Sequence, residues 1–207
     1  MIRTGFFAVA LIILSFAWLG PLPDLARHSF AAHMTMHIAV VALATPLLAL
    51  AIAGTAADPV RFMPHIVAPI PASMLELVVV WAWHIPALHL AARHQPGVLV
   101  LEQTTFVIAG LLLWIAAIGG DREQRRLRAG AGIVALLLTS MHMTLLGVLF
   151  ALASRPLFQH ASVTDQQLGG VIMLFVGGAA YLLGGLWLTA IALRSGEPSI
   201  GRQESTV

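Results

Sequence analysis

Six stretches of this chain are apolar enough to cross a bilayer, and short connectors rich in proline and arginine separate them. A helix needs ~20 mostly apolar residues to span the hydrocarbon. The stretches run at about 5–20, 29–53, 70–92, 97–119, 128–153 and 168–193. The pattern predicts an all-α, polytopic membrane helix bundle with about six transmembrane helices. It forms one domain over 1–193, followed by a polar tail at 194–207 that is expected to be disordered. The first stretch is expected to stay as a span rather than be cleaved as a signal peptide. Leu19-Gly20-Pro21 is a poor small-x-small cleavage site.

Arginine placement gives the bundle a direction. Arg3, Arg61, Arg122, Arg125, Arg126, Arg128, Arg194 and Arg202 fall on one side of the expected membrane, against Arg27, Arg93 and Arg155 on the other. The positive-inside rule then places both termini in the cytoplasm. Composition agrees with a membrane protein: 59% of the 207 residues are hydrophobic and 10% are charged, where a soluble domain carries roughly 25% charged residues. The pI of 10.4 reflects 11 arginines with no lysine. Because they are confined to loops and ends, no nucleic-acid surface is implied. The chain has no cysteine, which excludes disulfides, thiolate zinc sites and iron–sulfur clusters. No nucleophile–base pair, phosphate loop or nucleotide motif is present, so an enzyme is not expected.

The chemistry lies in the histidines. His33-Met34-Thr35-Met36-His37 opens the second stretch, His84, His89 and His94 follow in the third, and Met141-His142-Met143 lies in the fifth. Ionisable residues inside a membrane are costly and usually mark a function. His33 and His37 are i, i+4 and share a helical face, with Met36 the i+3 neighbour of His33. At ~1.5 Å per residue, the assumed orientation places His37 ~12 Å, His84 ~15 Å, His142 ~16 Å and Glu102 ~8 Å below the outer surface. Histidine and methionine without cysteine suit copper. The candidate metal ligands are therefore His33, His37, His84, His142 and Met36, with Met34, Met141, Met143 and Glu102 in support. Methionines are ordinarily gap fillers, and Glu102 can equally be a proton-labile group or the partner that orients a histidine.

Other polar positions carry blander expectations. His89, His94 and His160 are read as interfacial structural residues, His28 and His65 as loop residues, and Glu76 as reaching the inner interface. Asp165 is expected either to cap the sixth helix or to support the metal site. Pro46 and Pro86 are expected to kink the second and third helices. The stripe Gly170, Gly177, Gly184 is expected to let a neighbouring helix approach closely.

Four ordered motifs carry a family resemblance over about 28–193. They are His33-Met-Thr-Met-His37 leading to Thr45-Pro46, Trp81-Ala-Trp83-His84-Ile-Pro86, Ser140-Met-His142-Met-Thr-Leu-Leu-Gly147, and Asp165-Gln166-Gln167-Leu168-Gly169-Gly170. Together they resemble the multi-pass CtaG family of cytochrome c oxidase assembly factors, associated with caa-type oxidases. The pattern departs from that family at Gln103, where histidine is expected, and at Leu174, where tryptophan is expected. The resemblance implies a bacterial inner-membrane protein needed to make active haem–copper oxidase, and it carries the family's prominent polar residues onto His37, His84, Glu102, His142 and Asp165.

Two mechanisms compete. In the first, copper(I) is captured by His33, Met34 and Met36, held by His37, His84 and His142, and passed to an oxidase subunit. Affinity then falls below about pH 6 as histidines protonate. In the second, two histidines from different helices hold a haem, although the usual tandem pairs on two helices are absent. A copper permease is a third reading, for which the inner half offers only Glu76 and His65. Protein purified under reducing conditions from copper-supplemented cells is expected to carry about one copper per chain, by analogy with a three-ligand site, and no Soret band. A Soret band would assign haem instead.

Overall fold

Pro86 decides the most consequential departure from six straight rods. In this computed structural model, which describes residues 2–158 and 161–194, the third stretch is two helices bent by 73° to one another. Helix α3 (Pro69–Trp83) stops at His84, Ile85 is extended, and α4 (Pro86–His94) begins anew. The proline ring disfavours a helical Ile85 and removes the N–H that would continue α3. At ~1.5 Å per residue α3 is only ~22 Å long. The expected ~15 Å of helix between His84 and the membrane surface is therefore corrected: His84 sits at a corner, with α4 folded steeply away from the α3 axis.

The other spans follow the hydrophobic pattern. They are α1 (Ile2–Leu19), α2 (Phe30–Ile52), α5 (Pro96–Ile118), α6 (Arg122–Ala151) and α7 (Val163–Leu193). Five helices are thus long and apolar enough to cross a membrane, or six if α3 and α4 count as one broken span. The protein is an all-helical membrane bundle, with no strand among the described residues. His160 and the tail beyond Arg194 lie outside the described residues.

Small residues set the packing. A Cβ added at Gly170 would lie 2.4 Å from the Ala151 nitrogen and 2.6 Å from the Gly147 oxygen. The backbones of α6 and α7 therefore touch there. Further along α7, a Cβ at Gly177 would meet Ile38 of α2 at 2.8 Å, and one at Gly184 would meet the Trp114 ring of α5 at 2.6 Å. The glycine stripe expected to serve packing does so against successive partners.

Two buried or half-buried carboxylates tie the ends. Asp58, wholly buried, accepts from the backbone N–H groups of Gly54 (2.6 Å), Val60 (2.9 Å) and Gly120 (2.6 Å). It thereby joins the α2–α3 and α5–α6 connectors. Gly54 and Gly120 have φ of +72° and +85°, a region that glycine enters without strain. At the opposite end Asp165 of α7 accepts from Ser29 Oγ (2.7 Å), Phe30 N (2.6 Å) and Ala31 N (3.3 Å). It caps the N-terminus of α2, not its own helix, whose cap is Ser162 (Oγ accepts from Asp165 N at 3.1 Å).

Replacing Gly170 with alanine pushes a methyl group into backbone that cannot move aside. Overpacking of this kind costs ~1–3 kcal/mol. Gly130 is the control, since a Cβ there meets nothing within 4 Å. Thermal unfolding in detergent should show Gly170→Ala melting well below the wild type and Gly130→Ala at or slightly above it. Equal melting of the Gly170 variant would mean that the close approach is not what holds α6 to α7.

Candidate metal site

The end of the bundle near α4 holds two layers of buried polar groups. Closer to α4, Arg93 donates to Glu102 Oε2 on α5 at 2.5 Å and to His33 Nδ1 on α2 at 2.6 Å. The Arg93 and Glu102 side chains are 4% and 0% exposed. Gln103 Nε2 donates to the same carboxylate oxygen at 3.1 Å, and Trp18 Nε1 of α1 donates to Gln103 Oε1 at 3.1 Å. The His89 ring stands edge-on to the His33 ring, with centroids 4.6 Å apart.

His33, His89 and Glu102 each present a ligand atom within 4.8 Å of the others, yet Arg93 already supplies the positive charge there. A guanidinium has donors only, so His33 Nδ1 must accept and the neutral ring carries its proton on Nε2, 3.9 Å from Glu102 Oε1. While Arg93 stays, this layer is an ion-pair network that carries its own counter-charge, although His33 Nε2, His89 Nδ1, Arg93 Nε and Glu102 Oε1 have no hydrogen-bond partner in it. Arg93, counted above among the loop arginines, instead lies in a helix and is buried against Glu102, and His89 is buried beside it.

The layer farther along α2 and α6 is different. His84 Nδ1 donates to the Val80 carbonyl at 2.6 Å, which leaves the Nε2 lone pair free. The His37 ring lies 5.4 Å from His84, T-shaped, and 4.2 Å from Phe106. Phe150 stacks on His84 at 5.6 Å. His142 on α6 is close enough to His37 to interact with it electrostatically. All three histidines are buried, at 0%, 6% and 6% exposure for His37, His84 and His142. Neither nitrogen of His37 or His142 has a hydrogen-bond partner, nor does Nε2 of His84. A buried polar atom without a partner costs ~1–3 kcal/mol, so this is a concentrated cost unless something binds the nitrogens. Three imidazoles from three elements thus share one buried layer walled by phenylalanines, although among the described residues only His33, His89 and Glu102 bring ligand atoms within 4.8 Å of one another.

The methionines are distributed otherwise. Met34 packs beside Phe30 where Gly169 leaves room. Met36 lines a cavity of about 310 Å³ with Trp18, Leu99 and Gln103, between α1 and α5. Met141 is 68% exposed on the outside of the bundle, and Met143 is buried. Asp165 holds α2 by its N-terminus and takes its place outside the histidine layer. A second cavity of about 340 Å³, lined by Arg27, His28, Phe30, His89, Arg93 and Phe158, opens beside the ion-pair layer.

Arg93 is the functional residue that sequence reasoning missed. A signal existed: a carboxylate at Glu102, within an apolar span, requires a counter-charge, and Arg93 is one short helix-turn-helix away. Gln103 stands where the resembled family carries histidine and uses both ends of its amide to link α1 to that carboxylate.

Fold and interior together define a polytopic membrane protein with a buried imidazole site. The family described as cytochrome c oxidase caa3 assembly factor (Caa3_CtaG) matches residues 1–195, nearly the whole chain. The chain belongs to this family, so its role is in the assembly of a cytochrome c oxidase, with an oxidase as its client and a membrane as its home. No curated protein and no solved structure matches it.

Removing one partner of a buried ion pair costs ~3–5 kcal/mol because the other charge is stranded, whereas removing both costs far less. Arg93→Met should therefore lower the thermal midpoint in detergent severely, and adding Glu102→Gln should recover most of the loss. A single variant as stable as the wild type would show that Arg93 does not neutralise Glu102.

Proposed function

We propose that this protein handles copper(I) for its oxidase, holding it on His37, His84 and His142 and passing it to an oxidase subunit within the membrane. The observation that carries the reading is the set of unpartnered imidazole nitrogens in one buried layer. No carboxylate joins this layer, which favours a monovalent ion. The cavity lined by His28, His89 and Arg93 opens beside the ion-pair layer, and on this reading copper approaches from that side, in place of a capture step through Met34 and Met36. On this reading the Arg93–Glu102 pair closes the route with fixed charge, and the copper is cargo, not a resident cofactor.

Arginine asymmetry supports a bacterial inner membrane with the histidine end outward and both termini in the cytoplasm. With Arg93 buried, only Arg27 and Arg155 remain to count on the outer side. Haem is the weaker reading: the His37 and His84 rings meet edge to face with Phe106 and Phe150 against them, and a porphyrin needs a slot between its axial ligands. A role in handling and delivery, without catalysis, fits an assembly factor.

Metal analysis on the detergent-purified chain, prepared with Cu(I) and reductant, should give about one copper per chain, as expected for a three-imidazole site. His37→Ala, His84→Ala and His142→Ala should each weaken Cu(I) binding by more than ~10-fold, the effect of losing even an outer-shell partner. Met141→Leu should bind as the wild type does. In cells, the same histidine variants should lower the copper content and activity of the oxidase. Unchanged copper stoichiometry in all three histidine variants would sink the proposal.

A further inference from the structure

One helical turn from the histidine layer lies a second buried polar cluster that copper holding does not use. Glu76 on α3 is fully buried, and its Oε1 shares a 2.5 Å hydrogen bond with Tyr181 Oη of α7. Tyr181 Oη is also 3.0 Å from the Val41 carbonyl of α2, to which Trp114 Nε1 of α5 donates at 3.3 Å. Thr139 of α6 stands beside the carboxyl, and its hydroxyl hydrogen-bonds with Ser73 at 3.0 Å. Glu76 takes part in no ion pair among the described residues, and its Oε2 has no hydrogen-bond partner. Every helix packed around it thus offers a hydroxyl, an indole N–H or a carbonyl, and none offers a cation.

The Val41 carbonyl is available for a covalent reason. Residues Ala39–Ala44 form a π-helical turn in which the Thr45 N–H bonds to Val40, five residues back. The next residue, Pro46, has no N–H to give Val41. The Val41 oxygen is served by side chains instead: Thr45 Oγ1 at 2.8 Å, Trp114 and Tyr181.

An ionised Glu76 would be a buried charge without an ion-pair partner among the described residues, a costly arrangement in a membrane protein. A carboxylic acid fits the geometry. Its O–H donates to Tyr181 Oη, and the tyrosine proton goes to the Val41 carbonyl. The cluster also lies next to the imidazoles: His37 and Val41 are i, i+4 on α2, and Thr139 and His142 are i, i+3 on α6. Along those two helices the layers are ~5 Å to ~6 Å apart, and along α3 Glu76 lies ~12 Å from His84.

Given the copper reading above, on which this inference rests, a cation entering three neutral imidazoles adds one uncompensated charge to the interior. We propose that Glu76 is a proton-exchange site that balances it. As one Cu(I) binds to His37, His84 and His142, the Glu76 O–H bond breaks, the proton leaves for bulk water, and the carboxylate remains. The interior keeps its net charge, no electron moves, and copper stays Cu(I). Handing the ion to the client reverses the step, with Glu76 taking a proton back. Opposite charges on the order of 10 Å apart at an effective dielectric of ~20 attract by an amount equal to about tenfold in affinity, which is the ceiling on the gain because ionising Glu76 takes back part of it.

The test is infrared difference spectroscopy on the full chain in detergent, with and without Cu(I) under ascorbate, together with proton release in weak buffer. The wild type should release about one proton per copper bound and lose a protonated-carboxyl C=O band. Glu76→Gln, which keeps size and hydrogen bonding, should still bind copper, up to about tenfold more weakly, with neither signal. Tyr181→Phe should shift the band without abolishing it, which assigns it to Glu76 even if the glutamine variant fails to fold. Copper bound with the carboxyl band unchanged overturns the exchange and leaves the histidine site standing. Proton release that persists in Glu76→Gln also overturns it. Failure of the wild type to bind Cu(I) at all defeats the copper reading, and the exchange with it.

Discussion

The Arg93–Glu102 pair is the constraint on which the rest of the polar interior depends. A carboxylate in an apolar span is affordable only with a partner that also satisfies its lone pairs, and α4 exists in its bent position to bring that partner in. The same guanidinium fixes the His33 proton on Nε2 and fills the only trio of close His and Glu ligand atoms among the described residues. It occupies one layer with a fixed positive charge, and the neighbouring layer of His37, His84 and His142 has unpaired imidazole nitrogens and no charged partner. The bend at Pro86 thus brings in the guanidinium that pairs with Glu102 and fixes the tautomer of a histidine.

Helix α2 is the positioning element. It carries His33 and His37, and its register is held from two sides. Asp165 caps its first turn from α7 with both carboxylate oxygens, and Gly177 lets Ile38 seat against α7. Deeper in, Pro46 forces the π-helical turn whose displaced carbonyl gathers Thr45, Trp114 and Tyr181. The backbone irregularity is tolerable there because protein groups, not lipid, surround it and satisfy the freed oxygen. A straight helix would have spent the Val41 carbonyl on its own ladder and left Tyr181 with only Glu76.

The histidine layer and the Glu76 layer differ from the ion-pair layer in one physical respect. Neither contains an ion pair, and both contain titratable side chains. Fixed charge near α4 and adjustable charge farther in is an arrangement suited to a bound ion that comes and goes.

The sequence by itself determined the helical class, the number of apolar stretches and the membrane setting, because the hydrocarbon demands ~20 apolar residues and allows nothing but satisfied backbone. It also singled out His37, His84 and His142, whose cost in an apolar run is visible without a fold. The glycine stripe was legible for the same reason, as small residues at a fixed period. Tertiary structure alone decided the rest. Which partner Asp165 caps, that Arg93 turns inward to Glu102, that Met141 faces outward, and that Tyr181 meets Glu76 across 105 positions depend on how helices rotate about their axes and where α3 breaks. Local periodicity constrains the faces of a helix but not its neighbours, and in a bilayer, where hydrophobicity does not choose between helix faces, close packing and polar pairing make that choice.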